Sequence, residues 1–99
     1  MIRVVVKMRQ QIEALLWSRG LTPKYRGFTY LADILELAGQ GHPIDHNTLA
    51  LVAQAHGATK SSVHQAVTLA LRRMELPRSF PGPDKERFYL KINYLYRQL

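Results

Sequence analysis

The sequence predicts an all-α domain of about five to six helices that contains a helix-turn-helix. Apolar residues recur at spacings of three and four along most of the chain, which is the period of a buried helical face. Glycine and proline separate these periodic stretches, as expected between helices. Hydrophobic residues make up 46% of the 99 residues, which is enough for one modest core and argues against disorder.

The first helix is predicted from about Lys7 to Arg19, with Gly20 ending it. Residues 1–6 are compatible with a short strand or a frayed helical extension. The chain is predicted to form a single domain over residues 1–99, in which residues 1–7 can be a loose N-terminal extension. A connection through Thr22-Pro23 leads to a second helix of about Thr29 to Ala38. The inward residues of these two helices are predicted to be Met8, Ile12, Leu15, Leu16, Leu31, Ile34, Leu35 and Ala38.

Three further helices follow the break at Gly39, Gly41 and Pro43. The third helix is predicted from an N-cap at Asp45 to about Ala55, and the fourth from an N-cap at Thr59 to about Met74. The last helix is predicted to have its N-cap at Asp84 and to run to about Arg97. Its inward residues are predicted to be Phe88, Ile92 and Leu95, and its aromatic residues Phe88, Tyr89, Tyr94 and Tyr96 are interpreted as packing residues.

The segment from about Leu49 to Met74 has the pattern of a helix-turn-helix. Ala53 is the small residue against which a second helix can press, and Gly57 supplies the residue that tolerates positive φ in the turn. The second helix of this unit is predicted to bury one stripe, formed by Val63, Ala66, Val67, Ala70, Leu71 and Met74. Its outward residues are then Lys60, Ser61, His64, Gln65, Thr68 and Arg72, which are polar and mostly short, as suits a helix in the DNA major groove.

The net charge of +7 suggests a polyanionic partner, usually nucleic acid, although a solubility charge without a partner is the alternative. Residues 1–30 hold six basic residues (Lys or Arg) and one acid. Residues 31–71 hold one basic residue and three acids, and residues 72–99 hold seven basic residues and three acids. The basic residues therefore lie towards the two ends of the chain.

The absence of cysteine excludes a disulfide framework, a thiolate zinc site and a cysteine nucleophile. No apolar run is long enough for a membrane span or a signal peptide, so we expect a cytoplasmic protein that does not contact membranes. No acid pairs with a nucleophile, and Ser61, Ser62 and His64 lack an orienting carboxylate, so an enzyme is not expected. His42 and His46 are separated by Pro43, and His56 is interpreted as a packed histidine, so neither a metal nor another cofactor is expected.

Two blocks resemble the C-terminal DNA-binding effector domain of the master response regulator of sporulation in endospore-forming bacteria. They are GLTPKYRGFTYLADIL at residues 20–35 and ATKSSVHQAVTLAL at residues 58–71, with a weaker match from Pro83 to Phe88. The resemblance covers about residues 10–99. It implies an all-helical domain that binds short DNA boxes, often as tandem copies, through the second helix of its helix-turn-helix. The residues that it places against DNA are Ser61, Ser62, His64, Gln65 and Thr68.

The chain departs from the family in the residues of that helix. Family members carry arginine where this chain has Ser62, Gln65 and Thr68, and glutamate where it has His64. Arginine makes bidentate contacts to guanine, so the DNA sequence that relatives recognise is not expected to carry over. The family's phosphorylated receiver domain has no counterpart in these 99 residues, so we expect no switching by aspartate phosphorylation within them.

We therefore expect sequence-specific binding of double-stranded DNA and regulation of transcription. The expected base contacts are Ser61, His64, Gln65 and Thr68, and the expected phosphate contacts are Lys24, Arg26, Lys60, Ser62, Arg72 and Arg73. Self-association on tandem sites is a further expectation. The alternative is a protein-interaction module that binds another regulator or RNA polymerase, which a large exposed apolar patch would favour.

Overall fold

The computed structural model describes residues 2–77 and 80–99, with the side chains of all of these except residues 2–7 and 84. The described residues form five α-helices and no strand. The helices are α1 (Ile2–Ser18), α2 (Arg26–Gly39), α3 (His46–Ala55), α4 (Lys60–Arg73) and α5 (Asp84–Arg97). The all-α prediction is confirmed, and the arrangement of α3 and α4 is compatible with a helix-turn-helix.

Helix α2 lies at the centre and packs against each of the other four helices. Its apolar residues follow the helical period closely enough that Phe28, Leu31 and Leu35 are all buried. One core joins all five helices. Its fully buried large side chains are Ile12, Leu16, Leu21, Leu31, Ile34, Leu35, Leu49, Val52, Val63, Val67, Ile92 and Leu95.

The close approach of α2 and α4 depends on Gly27, near the start of α2. A Cβ atom at this position would lie 2.5 Å from the Ala66 carbonyl oxygen and 2.5 Å from the Ala70 Cβ atom. Glycine is therefore required where the two helices touch, because any side chain would meet backbone that cannot turn aside. This contact sets the position of α4 relative to the centre of the domain.

All five predicted helices are present, and the bounds of four of them differ from the prediction. Helix α1 begins at Ile2, so residues 2–6 are helical and the strand alternative is wrong, while Met1 lies outside the described residues. Helix α2 begins three residues earlier than predicted, at Arg26, and continues through Gly39. Helix α4 ends at Arg73, with Met74 as its C-cap. Helix α5 begins at Asp84 itself, because Pro83 occupies the N-cap position that was predicted for Asp84.

Candidate nucleic-acid interface

Helices α3 and α4 each begin at a side-chain cap. The Asp45 carboxylate accepts hydrogen bonds from the backbone N–H groups of Asn47 and Thr48, and the Thr59 hydroxyl accepts one from the N–H of Ser62. The predicted N-caps of α3 and α4 are thereby confirmed. Each satisfies donors that a helix start otherwise leaves unpaired.

Gly57 ends α3 in the left-handed region, with φ of +63°. The N–H of Ala58 donates to the Ala53 carbonyl at 2.9 Å, and the N–H of Gly57 donates to that of Gln54 at 3.3 Å. This is the pattern of a Schellman cap, in which glycine is favoured at the left-handed position. Ala53 is buried, as predicted for the residue against which α4 presses. The turn therefore has the geometry that the sequence predicts.

Helix α4 divides into a buried stripe and an outward face. Five of the six residues predicted for the stripe are buried, and Ala66 is half-buried. On the outward face Ser61, Gln65 and Arg72 are exposed, while Thr68 is half-buried and its hydroxyl donates to the His64 carbonyl at 2.8 Å. The helix carries no acidic residue. Its outward face therefore offers neutral donors and acceptors, with cations at both ends.

Leu69 also lies on the outward face, with 52% of its surface exposed. The sequence prediction omitted Leu69, because only polar residues of the helix were assigned to the outward face. Leu69 follows Thr68 directly and lies four positions after Gln65, so it is a neighbour of Gln65 on the helix surface. The outward face of α4 is therefore polar with one apolar residue in its middle.

His64 is exposed, and its ring stacks on Phe88 of α5. The ring centroids are 4.2 Å apart and the planes are inclined by 22°. Phe88 itself is buried, so one face of the imidazole is covered by α5. His64, one of the four residues predicted to contact bases, thus lies on the side of α4 that faces α5.

Cations lie on the other side of α4, at the start of α2. The Arg73 guanidinium is 4.8 Å from the centroid of the Tyr25 ring, and the Lys24 Nζ is 6.0 Å from the same centroid. Arg26, the first residue of α2, is exposed. Two of the residues predicted to contact phosphates, Lys24 and Arg73, therefore lie around one half-buried tyrosine, and a third, Arg26, follows that tyrosine in the chain.

Two more phosphate-contact predictions fall at the start of α4. Lys60 is the first residue of the helix and is exposed. Ser62 is also exposed, but its hydroxyl accepts a hydrogen bond of 2.9 Å from the Thr59 hydroxyl, so this side chain is part of the helix cap. Lys60 and Arg72 lie towards opposite ends of a 14-residue helix.

An ion network holds α1, α2 and the turn together away from this face. The two carboxylate oxygens of Asp33 contact Arg9 Nη1 at 2.6 Å and His56 Nε2 at 2.5 Å. Burial, the largest single contribution, lowers the pKa of Arg9. The hydrogen bond and attraction to Asp33, together with Glu13 and Glu36, outweigh it and raise that pKa above its ordinary value.

His56 is held in this network and does not occupy an apolar pocket. Its side chain is 32% exposed, and its ring meets the Tyr30 ring edge-on with centroids 5.1 Å apart. The interpretation as a packed histidine is therefore right about the contact with α2, while the residue as a whole remains exposed. Asp33, which sequence reasoning did not single out, fixes the imidazole.

Glu13, Asp33 and Glu36 are thereby committed to the network and Asp45 to a cap, so four of the seven acids of the chain are engaged by groups outside α4. Within the described residues there is no group of three His, Cys, Asp or Glu side chains that could hold a metal ion. None of the described helices is both long and apolar enough to cross a membrane.

Comparisons with protein-family models, with curated proteins and with solved structures gave no match to this chain.

Proposed function

We propose that this chain binds double-stranded DNA through the outward face of α4 and regulates transcription by doing so. The observation that carries the proposal is the charge around that face. Helix α4 has no acid, cations lie at its two ends, and Lys24 and Arg26 lie just before and at the start of α2. Phosphates flank the bases on both sides of a DNA groove, so a neutral reading face bordered by cations suits a duplex.

The dimensions of α4 also suit the major groove. Fourteen residues give a length of about 21 Å, and the major groove, about 12 Å wide, admits one helix. The turn at Gly57 and the contact at Gly27 fix this helix on two sides. A recognition helix needs such support, because base contacts tolerate little displacement.

Gln65 is the residue best suited to reading a base. It is exposed near the middle of α4, and its amide can donate to N7 and accept from the N6 amino group of adenine. Ser61 and Thr68 can add one hydrogen bond each, and Leu69 can contact a thymine methyl group. Lys60 and Arg72 are assigned to phosphates, which fixes the register without selecting a sequence.

The resemblance to the sporulation effector domain supports the same assignment. The block at residues 58–71 covers the turn and most of α4, and the block at residues 20–35 covers the start of α2 with Lys24 and Arg26. By this resemblance the protein binds short tandem DNA boxes as neighbouring copies, and we propose that it does so in the cytoplasm. No catalytic step, metal or cofactor is part of the proposal.

A protein-interaction module is the second candidate, and Leu69 is the observation that favours it. A leucine with half its surface exposed on a polar helix face can anchor a partner such as another regulator or RNA polymerase. Leu69→Gln separates the candidates. If α4 binds DNA, this variant should lose a modest part of its duplex affinity, through the contact to one base pair. If the leucine is the centre of a protein interface, the variant should lose partner binding while its duplex affinity is unchanged.

Selection of bound sequences from random duplexes tests the proposal, because it examines binding and specificity together. The selected duplex and a scrambled duplex are then titrated with two variants. Gln65→Ala should cost about 1–3 kcal/mol on the selected duplex and little on the scrambled one. Arg72→Ala should weaken both duplexes alike and flatten the dependence of log K on log salt by about one unit.

The outcomes that oppose the proposal are distinct. An equal loss on both duplexes for Gln65→Ala would show that this residue does not read bases. The absence of any binding at low salt would overturn the DNA proposal and favour the interaction module.

A further inference from the structure

A groove of about 440 Å³ lies between α4 and α5, next to the outward face of α4. Its floor is apolar and includes Leu71 and Phe88, both of which are buried. His64, Thr68 and Arg72 of α4 line it as well, so the groove and the outward face of α4 share three residues. A ligand in the groove would therefore lie directly alongside anything bound to α4.

The lining of the groove is strongly basic. Arg72 comes from α4, and Lys85, Arg87 and Lys91 come from α5. None of the described residues that line it is acidic. The ion pairs among the described side chains do not involve Arg72, Lys85 or Lys91. These cations, with no carboxylate among the described residues of the lining, favour an anion that carries more than one charge.

Sequence reasoning did not find this site, since it assigned α5 to packing alone. Lys85 and Lys91 are six positions apart, which is about 9 Å along a helix. One strand of B-DNA carries a phosphate for about every 3.4 Å of duplex axis, so this span corresponds to roughly two to three phosphate steps. A phosphodiester strand therefore matches both the spacing and the sign of the charges.

We propose that the α4–α5 groove seats the sugar-phosphate strand that borders the DNA groove occupied by α4, with Lys85 and Lys91 as its phosphate contacts. This inference rests on the proposed DNA binding and adds a second element, α5, to the interface. Arg72 then contacts the same strand from α4. His64, stacked on Phe88 in this groove, lies against the backbone rather than over the bases.

The test measures duplex affinity at several salt concentrations for Lys85→Ala, Lys91→Ala and the double variant. Each lysine lost should flatten the slope of log K against log salt by about one unit and lower affinity roughly fivefold at about 0.15 M salt. The loss should be equal on the selected and scrambled duplexes, because phosphates carry no sequence information. Lys85→Arg and Lys91→Arg should keep wild-type affinity and slope.

Arg97→Ala is the matched control, since it removes one positive charge from the same helix at a residue that does not line this groove. It should leave the salt slope unchanged, and thermal unfolding should show that all variants remain folded. A double lysine variant with wild-type slope and affinity would overturn the groove assignment and leave DNA binding by α4 standing. A wild-type protein that binds neither duplex would overturn the DNA proposal and the groove assignment together.

Discussion

Replacing Gly27 with alanine perturbs the contact on which the position of α4 depends. The new Cβ atom would lie 2.5 Å from the Ala66 carbonyl oxygen and from the Ala70 Cβ atom, about 0.9 Å closer than the 3.4 Å at which ordinary contact begins. The first neighbour is a backbone atom and the second is a Cβ atom, so neither can rotate out of the way. The clash can be relieved only if α2 and α4 move apart.

The size of the effect follows from two opposing terms. Overpacking of this kind costs about 1–3 kcal/mol, while alanine gains up to about 1 kcal/mol over glycine in a helix and less in its first turn. We therefore expect a net loss of about 1–2 kcal/mol in the free energy of unfolding. In a domain of this size each kcal/mol lowers Tm by roughly 4–8 °C.

Urea and thermal unfolding of Gly27→Ala measure this loss, with Gly39→Ala as the matched control at the other end of α2. A Cβ atom added at Gly39 would meet the Met8 thioether, which is the flexible end of a side chain that can move aside. The control should therefore be neutral or slightly stabilising. A Gly27→Ala variant as stable as the wild type would refute the close contact between α2 and α4.

Three further predictions concern the turn, the ion network and α5. Gly57→Val should cost about 1 kcal/mol or more in urea unfolding through strain at positive φ, and Gly57→Asn should cost less; an unchanged midpoint for valine would place the turn elsewhere. Asp33→Ala should lower the free energy of unfolding by about 1 kcal/mol, because it removes the partner that the Arg9 guanidinium and the His56 imidazole share. Glu13→Ala should lower it by less than about 0.5 kcal/mol, because the Glu13 side chain is 42% exposed. Equal losses for the two variants would contradict the network. Burial, and secondly the negative charge of Asp45, raise the pKa of Tyr89 in the folded protein. This phenol therefore contributes stability that is present below the pKa of an unfolded tyrosine, about 10, and is lost as pH rises above that value. Alkaline unfolding of Tyr89→Phe should lack that loss, and a profile identical to the wild type would contradict it.

The sequence predicted the fold well wherever the controlling interaction is local. Helix period, the caps at Asp45 and Thr59, and the glycine at the turn act within a few residues, so they can be read without knowledge of the tertiary structure. The outward residues of α4 followed from the same period. The one omission there was Leu69, whose exposure breaks the rule that apolar residues lie inward.

The contacts between helices that the sequence did not predict join residues that are far apart in the chain. Gly27 meets Ala66 across 39 positions, and Asp33 meets His56 across 23. The stacking of His64 on Phe88, and with it the groove between α4 and α5, depends on where α5 packs. Local periodicity contains no information on these approaches, so only the folded structure shows that α5 adds cations to the candidate interface.

Amide chemical-shift mapping of this 11.4 kDa domain with the selected duplex at low salt tests the central claim most directly. If α4 binds the duplex, the largest shifts should fall on its outward face, at Ser61, Gln65 and Arg72, with smaller shifts at Lys85 and Lys91 beside it. Shifts centred on α1, for example around the exposed Trp17, or no shifts at all, would contradict binding of DNA through α4.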